Sequence, residues 1–299
     1  MNNILNSQYP IVAMAMNKVS DLPLARAVRR AGGVPSLSVF NYFTAPGHVD
    51  EKLVEKAIVD YKTEFGDANI FFSLGVEDIV QPRFLKIILE QNIKFIELIP
   101  ASPKETTITP DLIQQTKEAI VKIQSNGTLV FTKVLGLEDV IPEADGVVLK
   151  GGDGAGRGDR RITLDELFDA VHTAYPNQLV IVSGGIGSSA RVRHFIDKGA
   201  TAIGVGTMFA ASQESRVSYE TKLKMVEADA NSIKPLNKGA RHNAIIFSEF
   251  EEVHHNNTRG LLAGIASPTA GHIFAGKGVE FITDVLPVAD IMQRLVKDL

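Results

Sequence analysis

Short, mostly apolar runs alternate along this chain with longer stretches whose apolar residues recur every three or four positions. The first kind suits a strand buried on both faces, the second a helix with one covered face. The runs are Ile11–Met16, Val34–Phe40, Asn69–Leu74, Lys94–Ile99, Thr128–Val134, Gly146–Leu149, Leu179–Val182 and Ala202–Val205. Asp21 and Pro23 open a helix carrying Leu24, Ala27, Val28 and Ala31 on one face, and Gly32-Gly33 stop it. Glu51–Phe65 and Arg83–Gln91 repeat the helical pattern, and Pro100 stops the fourth strand. Thr109-Pro110 cap a helix that Asn126-Gly127 end, and Leu137–Ile141 is at most a short helix. Thr163-x-x-Glu166 is a capping box. Ser188 and Ser189 cap the helix after the seventh strand, and Gly199 ends it.

Eight such strands with helical segments between them predict a parallel sheet closed into a TIM (β/α)8 barrel. After the eighth strand the rhythm breaks. Ser215–Lys277 holds a charged helix at Tyr219–Ala228, a strand at Asn243–Ser248 and a loop-rich stretch with His254-His255-Asn256-Asn257. Residues 1–214 are therefore expected to form the barrel, completed by an amphipathic terminal helix within 284–299. Residues 215–283 are expected to form a smaller lobe over the barrel mouth, serving as a lid or as the contact of a homodimer.

At 299 residues the chain accommodates a barrel of about 250 residues and an extension. Without cysteine it has no disulfide, thiolate metal site or cysteine nucleophile. A formal charge of −4 gives no basic excess, so nucleic acid is not an expected partner. No apolar run approaches the roughly 20 residues of a membrane span. The opening MNNILNSQYP lacks a secretory pattern, so the expected location is the cytoplasm and the expected partner a small molecule.

Active sites of such barrels lie at the carboxyl ends of the strands. There the seventh strand is followed by Gly184, Gly185 and Gly187, and the eighth by Gly206-Thr207. Two bare-backbone turns side by side, with helix N-termini behind them, suit a phosphate. Gly185-x-Gly187-x-x-Ala190 also fits a dinucleotide fingerprint, but Gly206-Thr207 stands where that fold needs an acidic residue. The sixth strand runs into Lys150-Gly151-Gly152-Asp153-Gly154-Ala155-Gly156-Arg157-Gly158. This glycine-rich loop lets backbone approach a flat ligand, or else is a floppy surface loop. Lys133 and Lys150 are placed to stabilise an anionic ring, with a surface carboxylate or solvent as their alternative destination. His172 and His194 fall on outer helices, and His254, His255 and His272 in the late lobe. Their spacing makes no metal site.

These residues resemble the nitronate monooxygenase family, and with it the related flavin-containing enoyl-ACP reductases. The resemblance runs over most of the chain. It rests on Tyr9-Pro10-Ile11-Val12 through Met16, on Ala31-Gly32-Gly33, on Gly184-Gly185-Ile186, on Gly206-Thr207-Met208-Phe209 and on Ile273–Leu295. It implies FMN, with the phosphate on Gly184, Gly185, Gly206 and Thr207. The ring would lie beside Ala15, Met16 and the loop at Gly151 and Gly152, with Ser73 and Lys133 nearby. Two departures stand out. Ala13, Met14 and Ala15 replace the family's Gln, Ala and Pro. Arg157 stands where the family's loop, G-x-E-A-G-G-H, has its histidine. Arginine stays protonated near neutrality and is no general base, but its fork can anchor an anion.

The resemblance therefore implies an FMN-dependent oxidoreductase that oxidises a small anionic nitronate-like substrate with O2, Arg157 and Lys150 serving the chemistry and no metal taking part. Two alternatives stay open. One is an NAD(P)H-dependent reductase of an activated double bond. The other is a barrel that binds a phosphorylated ligand without redox chemistry.

Overall fold

A computed structural model describes residues 4–45, 48–99, 109–157, 162–235, 242–245 and 263–299. Its main sheet has eight strands: β1 (Ile11–Ala13), β2 (Ser36–Ser38), β3 (Phe71–Gly75), β4 (Phe95–Ile99), β5 (Leu129–Val134), β6 (Gly146–Lys150), β7 (Leu179–Ser183) and β8 (Ala202–Val205). The order is β1-β8-β7-β6-β5-β4-β3-β2, with every pair parallel. The two ends meet through a bridge from Val12 to Val34. There the Val34 N–H donates to Ile11 O and the Ala13 N–H to Val34 O, each at 2.9 Å. The sheet is thus a barrel, as the alternation of runs predicts.

The helices form where capping chemistry meets an apolar stripe. Asp21 caps Leu22–Arg30, Asp50 caps Glu51–Phe65, Thr109 caps Pro110–Gln124 and Ser188 caps Ser189–Asp197. Thr163 and Glu166 exchange both bonds of the capping box ahead of Leu164–Ala174. The terminal helix, Val288–Val296, packs on Leu22–Arg30 and Ser189–Asp197. Met292 fills the space beside Gly33, where a Cβ would lie 2.6 Å from its Cε.

Side chains alternate across the strands. One set packs outward under the helices. The other fills the barrel, where Phe71, Phe95 and Phe131 make a floor with Val12, Val148, Ile181 and Ala202. Phe71 and Phe95 stack with ring centres 4.8 Å apart. Of the next inward positions toward the carboxyl ends, Ser36, Ser73, Glu97, Lys133 and Ser183 are polar, while Met14 and Gly204 are not. Hydrophobic burial closes the lower barrel, and polar residues are left for the mouth.

Several boundaries differ from the sequence pattern. β1 stops at Ala13 rather than Met16, because the chain turns at once: the Val19 N–H donates to Met16 O and the Met16 N–H to Ser20 Oγ. β2 covers only Ser36–Ser38. Val39–Tyr42 winds into a 3-10 turn whose Phe40 N–H donates to Ser38 Oγ. The late strand is seen over His242–Ile245, starting one residue before the expected Asn243–Ser248, of which 246–248 lie outside the described residues. Pro100, His254 and His255 also lie outside them.

Candidate active site

The glycine turns after β7 and β8 come together with a third segment that the sequence pattern did not single out. Gly184 and Gly185 have φ of +103° and +75°, a region open to glycine and strained for other residues. A Cβ on Gly184 would meet Gly151 O at 2.9 Å, so the β7 turn lies in backbone contact with the β6 loop. Gly276 approaches from the terminal segment. Its N–H donates to Thr207 Oγ1 at 3.0 Å, and a Cβ there would sit 2.5 Å from Asp153 O. The Lys277 N–H donates to Asp153 O at 2.8 Å, and Lys277 Nζ lies 2.7 Å from Asp153 Oδ1. Gly184, Gly185, Gly206 and Thr207 are all half-buried. Gly206 has room for a Cβ, which would make ordinary contact with Met16 Sδ at 3.6 Å and Cγ at 3.8 Å. A bare-backbone position beside Met16, next to the β7 turn, fits a flat cofactor with a phosphate tail.

The β6 loop is tied down rather than floppy. The Gly151 N–H donates to Ser183 O and the Gly154 N–H to Gly151 O, each at 3.0 Å. Gly151 and Gly152 are buried. Gly156–Arg157 forms a short antiparallel strand with His242–Ile245, which in turn pairs with Ile233–Pro235. The late part of the chain is thus hydrogen-bonded to the β6 loop. The Arg157 side chain lies outside what the structure describes. Lys150 bends under the loop: a Cβ on Gly154 would meet its Cε at 3.1 Å, and one on Gly156 its Nζ at 3.5 Å.

Lys133 is not a lone cation at the mouth. Its Nζ lies 2.8 Å from Oε1 of Glu97, a carboxylate side chain only 1% exposed against 14% for the lysine. The partner is a barrel-interior residue, neither surface carboxylate nor solvent. Glu97 faces inward from β4, in register with Ser73 on β3, and both are fully buried. Ser73 Oγ and Glu97 Oε2 have no hydrogen-bond partner among the described residues. The sequence reading missed Glu97, although a lone charge inside the apolar run KFIELI is a visible signal.

The outer histidines are exposed to solvent and keep local contacts. His194 Nε2 lies 2.6 Å from Asp165 Oδ1, and His172 stacks on Phe168. His272 is buried. Among the described residues no group of three or more histidines or carboxylates could hold a metal, and no helix is long and apolar enough to cross a membrane.

Comparison with known proteins agrees with this geometry. The family model for nitronate monooxygenase matches residues 1–298. FabK from Thermotoga maritima superposes with a TM-score of 0.77 at 21% identity, covering 99% of this chain and 94% of that one. A nitroalkane oxidase from Streptomyces ansochromogenes superposes with a TM-score of 0.73 at 19% identity, covering 98% and 96%. At such identities the two structures speak for the fold. No curated protein matches the sequence.

Proposed function

We propose, for a chain that belongs to the nitronate monooxygenase family and is a flavin-dependent oxidoreductase, that its flavin is FMN and that it oxidises a small anionic nitronate-like substrate with O2. The observation that carries this reading is the meeting of three backbone turns, Gly184–Gly185, Gly206–Thr207 and Gly276–Lys277, at the carboxyl end of the barrel. Gly184, Gly185 and Gly276 let these backbones pack directly against the β6 loop, and Gly206 leaves room beside its backbone. Gly184, Gly185, Gly206 and Thr207 would hold the phosphate. Ala15, Met16, Ser73, Lys133, Gly151 and Gly152 would border the ring. The flavin, when bound, supplies the two-electron chemistry. The late segment 215–283, joined to the β6 loop through His242 and Asn243, would cover the mouth and keep water from it.

The chain's own contribution is binding and orientation. Arg157 replaces a general base with a permanent cation whose forked donors suit the two oxygens of a nitronate. Such a substrate has already lost its proton, so no base is needed to start the oxidation. Lys150, held under the β6 loop, adds a second positive charge to this side of the mouth.

The test compares nitronate and neutral nitroalkane, each held in its own ionisation state, by oxygen uptake. The nitronate turns over and the neutral form is a poor substrate. Arg157→Ala keeps the flavin and raises the KM for the nitronate by about tenfold or more, the loss expected for a charge-assisted hydrogen bond. Comparable turnover of both forms contradicts the substrate assignment. Anaerobic reduction of the flavin by NADH or NADPH points instead to a reductase.

A further inference from the structure

We propose that Glu97 is a positioning and charge-setting residue for Lys133, and that the pair keeps the floor of the barrel mouth electrically neutral beneath the flavin. This rests on the FMN reading above.

The register fixes the relative heights. Glu97 on β4 lies level with Phe131 on β5, so Lys133 stands two residues nearer the carboxyl end. The lysine reaches back down, and its Nζ comes to 2.8 Å from Glu97 Oε1. The residual exposure belongs to the lysine, 14% against 1%. Lys133 is therefore the member of the pair that meets a ligand at the mouth, and Glu97 acts on the ligand through it. The contact is a close ion pair without the alignment of a hydrogen bond. No other ion-pair partner of Glu97 occurs among the described residues, and its Oε2 has no hydrogen-bond partner there. The carboxylate is matched to this one ammonium.

A pair of opposite charges acts on a ligand very differently from one charge. In a weakly polar interior a lone cation beside a flavin would favour the reduced, more negative cofactor and raise its potential. A close pair presents N–H donors with little net charge, since the two fields largely cancel beyond the pair's own length. Removing the carboxylate therefore unmasks a cation, removing the lysine unmasks an anion, and removing both restores neutrality. A purely structural pair would give no such alternation of sign.

The measurement is the oxidation–reduction potential of the FMN-bound enzyme. Glu97→Gln is expected to shift the balance at least tenfold toward the reduced cofactor, a rise of roughly 30 mV for a two-electron couple. The double variant Glu97→Leu, Lys133→Met replaces the pair by apolar groups of similar size, a change that buried pairs often tolerate. Its potential is expected to return to within about twofold of the wild-type balance, as in any double-mutant cycle between coupled groups. If Glu97→Gln holds no flavin, Lys133→Gln carries the test with the opposite expected sign. An unchanged potential in Glu97→Gln overturns the proposal. So does an equal rise in the single and double variants, because Lys133 would then not be the mediator. Failure of the wild type to bind FMN is a separate result, and it defeats the FMN reading instead.

Discussion

Gly185 shows how closely single residues define the carboxyl end of the barrel, where we propose that FMN binds. It adopts a φ of +75°, and a Cβ there would lie 2.7 Å from Asp153 Cβ. Gly185→Asp combines backbone strain, a clash and a second carboxylate beside Asp153 where the phosphate is read to lie. We expect it to lower FMN content at least tenfold, measured by released flavin per protein, a loss of about 1.4 kcal/mol or more in binding. Full flavin content in a folded variant would remove the phosphate from this turn. Asp165 is a residue of another kind, holding the outer layer together. It accepts from Arg191 Nη2 at 2.5 Å and lies 2.6 Å from His194 Nε2, with Lys198 Nζ at 3.7 Å. Partial burial alone would raise its carboxyl. The bonds from His194 and Arg191 outweigh it and hold the carboxyl below its usual range. A lowered folded-state pKa gives stability that is present above the unfolded value and lost as pH falls through the folded one. Asp165→Asn should therefore cost about 1 kcal/mol at neutral pH, the scale of a partly exposed, solvent-screened cluster. In urea unfolding, that cost should persist to pH 5 and fade below about pH 4. A cost independent of pH would mean that the carboxylate's charge contributes nothing.

At the scale of elements, the strands and caps were legible because each is local. Apolar runs specify strands, and Asp21, Thr163 and Ser188 cap helices with their own side chains. The Gly184–Gly185 and Gly206–Thr207 turns were legible for the same reason. What escaped was set by contacts distant in sequence. Gly276 meets Thr207 and Asp153 through a fold-back of the terminal segment that no local pattern encodes. The ion pair of Lys133 with Glu97 needs the register of β4 and β5. The pairing of Gly156–Arg157 with His242–Ile245 needs the late segment to cross to the β6 loop. Gly276 offers the element-scale test. Asp153 O, Ala155 N and Gly154 C all lie within 3.0 Å of the position a Cβ would take, and none is the movable tip of a side chain. Gly276→Ala should lift the terminal segment off both turns. The expected signs are lower FMN occupancy and new proteolytic cleavage near residues 276–281. Unchanged occupancy and cleavage would show that the segment is not part of the cofactor's wall.

The molecule as a whole divides its chemistry along the barrel axis. Phe71, Phe95 and Phe131 close the lower barrel with apolar contact, the Glu97–Lys133 pair forms a polar layer above them, and backbone turns crowd the rim. This gradient leaves a bare-backbone face at one end of a chain whose family membership makes it a flavin-dependent oxidoreductase. On the proposed function, Arg157 in the loop position of the family's histidine would set this chain apart at the step of proton transfer rather than of cofactor binding. The proposed function stands or falls on FMN binding at this face. The most direct measurement is the absorption spectrum of the purified protein, followed by release and identification of the chromophore. The expected result is the visible bands of an oxidised flavin, with FMN as the released species. A protein that is colourless as purified, and stays so after incubation with FMN, would contradict it.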